Sequence, residues 1–91
     1  MITALCFINT DPHAISEAGD SIAQLPGVRS VYSVTGKIDL VAIIEVNTPD
    51  QVAGVVADSI GKVPGVTTTE THIAFRTYDK RDLDAGFALG N

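Results

Sequence analysis

Tryptophan is absent from this 91-residue chain, and cysteine occurs once, at Cys6. A single thiol rules out an internal disulfide and a cysteine-built metal centre, and it fits a reducing cytoplasm. Basic residues are scarce. Six Lys and Arg stand against eleven Asp and Glu, giving a net charge of −5. So few cations are a poor match for phosphates, and direct nucleic-acid binding is not expected. Arg76, Lys80 and Arg81 are interleaved with Asp79, Asp82 and Asp84, so the C-terminal stretch is mixed in sign and is no basic arm. Long apolar runs are missing too. The longest, residues 40–44 with Ile38 and Val46 beside it, is far too short to cross a bilayer, and no membrane partner is expected. Residues 1–8 lack the basic region and cleavage site of a signal peptide and read as a strand.

What the chain does have is an internal repeat. Asp20-Ser21-Ile22-Ala23-Gln24-Leu25-Pro26-Gly27-Val28 returns 38 positions later as Asp58-Ser59-Ile60-Gly61-Lys62-Val63-Pro64-Gly65-Val66. Asn9-Thr10 matches Asn47-Thr48 at the same offset. Each copy reads strand, helix, Pro-Gly break, strand. Two copies in so short a chain form one duplicated domain. The resulting order, βαββαβ, is that of an α+β ferredoxin-like fold, a four-stranded antiparallel sheet with two helices on one face. Asp11, followed by Pro12, is expected to cap a first helix that runs to about Leu25, with Ile15, Ala18, Ile22 and Leu25 on one face. Thr48-Pro49-Asp50-Gln51 is a capping box for a second helix placing Val52, Val56, Ile60 and Val63 inward. Proline ends each helix and glycine supplies the positive φ that follows. Gly36 and Lys37 form the turn between the second strand (28–35) and the third (38–46), and residues 66–75 form the fourth.

The strands are apolar on both sides. Ile2, Ala4, Cys6 and Ile8 oppose Leu5 and Phe7, while Leu40, Ala42, Ile44 and Val46 oppose Val41 and Ile43. Two helices cover only one face of such a sheet, so the other is expected to pack on the sheet of a second subunit. The competing occupant is the tail, 77–91, in which Asp82 is placed to cap a short helix carrying Leu83, Phe87 and Leu89.

Catalytic equipment is thin. His13 follows a helix cap, and His72 alternates with Glu70 and Ala74 in a strand. No serine motif, Cys–His pairing, metal-ligand cluster or glycine-rich phosphate loop is spelled out, and no cofactor is expected. Two features are better placed for binding. In Thr35-Gly36-Lys37-Ile38-Asp39 a carboxylate stands beside turn N–H groups, a pairing able to hold both ends of a zwitterion, although Asp39 equally suits a residue that simply closes its hairpin. Thr67, Thr69 and Thr71 share a strand face with Ile73 and Phe75. This is either the polar face of an edge strand or a row of hydroxyls for a small ligand at an interface.

Together, Leu25-Pro26-Gly27-Val28, Val31-Tyr32-Ser33-Val34-Thr35-Gly36-Lys37-Ile38-Asp39-Leu40, Val63-Pro64-Gly65-Val66 and Thr69-Glu70-Thr71 resemble the RAM domain, the effector-binding half of Lrp/AsnC transcriptional regulators. The resemblance covers residues 1–76, leaving 77–91 as a tail packed on the core or on a neighbouring subunit. The family's N-terminal helix-turn-helix has no counterpart here, so the expectation is a stand-alone RAM protein. The resemblance implies dimers that bury their sheets against each other, higher homo-oligomers, and an amino-acid effector bound between dimers. It places the effector contacts at Gly36 and Asp39 in the hairpin and at Thr69 and Thr71 in the last strand. With no DNA-binding half, such a chain acts through a full-length Lrp/AsnC regulator or by buffering an effector pool. Three other readings stay open. One is a dimeric α+β barrel enzyme, such as a small monooxygenase, using His72. Another is a structural subunit that only oligomerises. The third is an ACT-type regulatory domain, against which the apolar second face argues.

Overall fold

The computed structural model describes residues 1–80. β1 (Ile2–Thr10), β2 (Val28–Ser33), β3 (Leu40–Val46) and β4 (Val66–Ala74) form one sheet in the order β2-β3-β1-β4, with every neighbouring pair antiparallel. This is the ferredoxin-like fold, and the two repeat copies supply one central and one edge strand each. The proposed helix over residues 82–89 lies outside the described residues.

One face of the sheet carries the core. Ala4, Cys6 and Ile8 of β1 and Leu40, Ala42 and Ile44 of β3 are buried against Ala18 and Ile22 of the first helix and Val52, Val55 and Ile60 of the second. The opposite face presents Leu5, Phe7, Val41 and Ile43, all half-buried, with Tyr32 beside them 54% exposed. The two-faced strand pattern is therefore real, and both helices lie on the same side.

Neither helix is as regular as its periodicity suggests. The first begins as a 3₁₀ turn (Pro12–Ala14) and becomes α1 only at Ile15–Ala23. Asp11 makes no side-chain cap. Its backbone works instead, accepting from the Ala14 N–H at 2.9 Å and donating to the Gly65 carbonyl at 2.8 Å. The second helix starts as expected. In α2 (Pro49–Ala53) Thr48 Oγ1 accepts from the Gln51 N–H, and Gln51 Oε1 accepts from the Thr48 and Asn47 N–H groups. It then widens into a π-helical stretch (Gly54–Ser59) and closes as a 3₁₀ turn (Ile60–Lys62). Wider turns rotate the inward stripe. Val55 is buried where the 3.6-residue period points to Val56, which is half-buried.

The two Pro-Gly turns lock the halves together. Gly27 has φ +89° and Gly65 φ +93°. A Cβ on Gly27 would stand 2.8 Å from Val55 Cγ2, and one on Gly65 would stand 2.4 Å from Ala14 Cβ. Each turn thus lies tight against the helical segment of the other half. The Gly27 carbonyl also accepts the Glu45 N–H at 2.9 Å, just as the Gly65 carbonyl accepts that of Asp11.

Candidate functional site

The hairpin between β2 and β3 is held at its base and free at its tip. The Val34 N–H donates to the Asp39 carbonyl at 3.1 Å, and the Asp39 N–H donates to the Ile8 carbonyl at 3.1 Å. Between these anchors, none of the backbone N–H groups of Thr35, Gly36, Lys37 and Ile38 donates a hydrogen bond within the described residues. Gly36 turns the chain at φ +107° with nothing within 4 Å of where a Cβ would stand. Its glycine is needed for the left-handed backbone alone.

The Asp39 side chain does not bond its own turn. Asp39 Oδ2 accepts the Thr10 N–H at 2.9 Å. The β1–β3 ladder ends at the Ile8–Leu40 pair, and β1 shifts register against β4 between Asn9 and Thr10. The buried Thr10 N–H has therefore run out of ladder and needs another acceptor, which Asp39 supplies. The second oxygen, Oδ1, accepts no hydrogen bond among the described residues. Sequence reasoning offered a ligand contact or a self-closed turn for Asp39. The bond across to Thr10 is neither, and it depends on a strand 29 positions away.

The threonine strand lies two places across the sheet. Thr69 pairs with Ile8, which pairs with Leu40. At the usual strand spacing, Asp39 and Thr69 are roughly 10 Å apart at the same end of the sheet. Asn9 Nδ2 donates to Thr68 Oγ1 at 3.1 Å between them. Thr71 pairs with Cys6, so it faces the helices. It lines an apolar cavity of ≈ 310 Å³ with Pro49, Val52, Ala53, Val56, Ala57 and Ile73. Thr71 Oγ1 is shielded from solvent and lacks a full hydrogen bond, and the Cys6 thiol beside it is only a weak partner. Burial pushes the Cys6 thiol up from its ordinary range, with the Thr71 hydroxyl opposing the shift. One chain thus places Asp39 and Thr69 at one end of the sheet, Gly36 out on the hairpin tip, and Thr71 under the second helix. It does not gather the four in one pocket. The cavity at Thr71 went unread in the sequence because the π-helical stretch that shapes one wall leaves no periodic signal.

His72 sits on the opposite sheet face. Its Nε2 is 2.7 Å from Glu70 Oε2, and its ring meets Phe7 edge-on at 5.5 Å. Both His72 and Glu70 are exposed on an open strand. General acid–base work needs a substrate held within reach of the proton, and within one chain this pair stands open to solvent. Among the described residues no group of three or more His, Cys, Asp or Glu is placed to hold a metal ion, and no helix is long and apolar enough to cross a membrane.

Comparison with known proteins bears on the family and the fold. A model of the Lrp/AsnC ligand binding domain matches residues 3–83. The crystal structure of TTHA0845 from Thermus thermophilus superposes with a TM-score of 0.83 at 41% identity, covering 88% of this chain and all of that one. The regulator NMB0573 from Neisseria meningitidis, solved as a complex with L-Met, shares the fold with a TM-score of 0.77 at 16% identity, over 86% of this chain and 52% of that one. An uncharacterized HTH-type transcriptional regulator of Pyrococcus horikoshii, PH1916, is 31% identical over 78 residues, 82% of this chain. The chain spans about half the length of that relative, 52%. A family match over nearly all of the described fold, and a near-full-length structural relative at 41% identity, lead to one conclusion: the chain belongs to the Lrp/AsnC ligand-binding domain family.

Proposed function

We propose that the protein is a non-enzymatic sensing module that binds an amino acid at the joint between subunits and passes the signal on through its state of assembly. The observation that carries this reading is the hairpin. Among the described residues, four consecutive N–H groups, Thr35 to Ile38, have no acceptor, beside an Asp39 carboxylate that is fixed through one oxygen and accepts no bond at the other. Turn N–H groups donate to a carboxylate, and a fixed Asp oxygen accepts from an ammonium group. An α-amino acid carries both. Thr69, at the same end of the sheet, and Thr71, beside the apolar cavity, supply hydroxyls for a side chain. Because one chain spreads these residues apart, the complete site needs a second subunit. The L-Met bound by the Neisseria regulator is in keeping with this ligand class.

The apolar face formed by Leu5, Phe7, Val41 and Ile43 supports a dimer that packs sheet on sheet. The curated relatives are HTH-type regulators about twice as long as this chain, so a full-length regulator of the same family is the natural partner, in the cytoplasm. The sheet face by itself also supports a simpler reading, a subunit whose only task is to oligomerise.

A thermal-shift screen of the twenty amino acids separates the two, because a ligand that binds the folded state raises Tm by mass action. One or a few amino acids should raise Tm. Asp39→Asn keeps an acceptor for the Thr10 N–H but removes the charge, and should abolish the shift. No shift with any amino acid would leave the oligomerisation reading standing.

A further inference from the structure

The internal repeat has a structural counterpart in two cavities. One is the ≈ 310 Å³ space beside Thr71, between the second helix and the edge strand β4. The other, ≈ 260 Å³, lies between α1 and β2, the strand at the opposite edge of the sheet. Ala53, Ala57 and Thr71 line the first, and Ile15, Gly19 and Ser33 line the second, each pair 38 positions apart. The same space is therefore built twice, with different chemistry. The β4 copy is apolar apart from Thr71. The β2 copy gathers three oxygen-bearing side chains. Ser16 and Asp20 stand one turn apart on α1 and both line the cavity. Ser33 pairs with Leu40, which is buried under the helices, so Ser33 faces α1 as well. None of these three side chains has a hydrogen-bond or ionic partner among the described residues. No Lys, Arg or His is among the described residues that line the cavity, and Ile15, Val31 and Leu40 give it apolar walls. Gly19 keeps its middle open, since a Cβ there would stand 3.6 Å from Leu40 Cδ2.

We infer that this cleft is a second ligand site, separate from the hairpin, and that it takes a small alkylamine in its ammonium form. An ammonium group only donates, through its N–H bonds, and accepts nothing. Asp20, Ser16 and Ser33 supply oxygen acceptors, and the Asp20 charge makes one of the bonds charge-assisted. The hydrocarbon chain then lies on Ile15, Val31 and Leu40. A carboxylate or a phosphate finds no cation in the cleft and is repelled by Asp20, so anions are rejected, and α-amino acids with them. The cavity falls below the roughly 300–1,000 Å³ of clefts that hold drug-sized molecules, so a chain of about four carbons suits it. This assignment does not rest on the amino-acid reading of the hairpin.

Titration of n-butylamine into the isotope-labelled whole chain, followed by amide NMR at neutral pH, tests this. Saturable shifts should centre on Ser16, Gly19, Asp20 and Ser33. Asp20→Asn, at an exposed position, should weaken binding at least about tenfold. Asp58→Asn removes the same charge from the matching place in the other repeat copy and should leave the affinity unchanged. Gly19→Leu fills the cleft with a better helix former, so it should abolish binding in a protein that still folds. n-Butanol and butyrate should not bind. Asp39→Asn should leave the amine affinity intact, so this site and the hairpin site stand or fall separately. Absence of saturable shifts, equal losses in Asp20→Asn and Asp58→Asn, or butanol binding as tightly as the amine overturns the assignment. So does tighter binding of Nα-acetyl-lysine amide, because the cleft would then seat the lysine of another protein rather than a free amine.

Discussion

At the residue scale, Asp39 has a duty in the fold, the bond to Thr10, that can be separated from its proposed part in ligand binding. Asp39→Ala removes the acceptor of the buried Thr10 N–H and should cost about 1–3 kcal/mol in a denaturant titration. Asp39→Asn should cost much less, so a loss of ligand response in that variant reports binding rather than folding. Two glycines with similar backbones make a second contrast. Gly36 and Gly65 both have positive φ, at +107° and +93°. An added Cβ meets open space at Gly36 but stands 2.4 Å from Ala14 Cβ at Gly65. Gly36→Ala should therefore cost only the left-handed strain, about 1–2 kcal/mol. Gly65→Ala carries the same strain plus a steric clash and should be clearly the less stable of the two in parallel melts. Both glycines are legible from Pro-Gly and hairpin chemistry. That one is free and the other pinned is not, because the pinning atom belongs to a helix start 51 positions away.

At the scale of elements, the two helix starts look alike in sequence and differ in fact. Thr48 makes a full capping box, whereas Asp11 makes no side-chain cap. Thr48→Ala should lower stability by about 1 kcal/mol, and Asp11→Ala should leave it nearly unchanged, as chemical denaturation of the two variants will show. The difference lies in the chain just after Asp11, which forms a 3₁₀ turn and directs its backbone to Gly65. Sequence periodicity located both helices and the burial of Ala18, Ile22, Val52 and Ile60, because those positions follow from a 3.6-residue repeat. It pointed to Val56, which packs half-buried against the core, and passed over the buried Val55, because the π-helical stretch from Gly54 to Ser59 breaks that repeat without any proline to announce it. The strand alternation survived intact, since a period of two is fixed by the pleat itself. The site was only half legible for a similar reason. The hairpin residues are contiguous in the chain, but the Thr10 bond and the cavity beside Thr71 arise from strands and helices distant in sequence.

At the scale of the whole molecule, the sheet has helices on one side and the half-buried Leu5, Phe7, Val41 and Ile43 on the other, the face proposed to meet a second sheet. Phe7→Asp should leave the circular-dichroism spectrum native while halving the particle mass, since Phe7 borders the exposed His72 and lies off the core. The interlocked Pro-Gly turns bear on how the molecule moves. Each turn is gripped by the other half, through Val55 and the Glu45 N–H on one side and through Ala14 and the Asp11 N–H on the other. Neither half has a surface along which it opens alone. Amide exchange in the two halves is then governed by one and the same opening event, and the domain breathes as a single cooperative unit. Among the described residues the hairpin tip around Gly36 lies outside that grip, and it is the segment left free to move if the proposed ligand binds there.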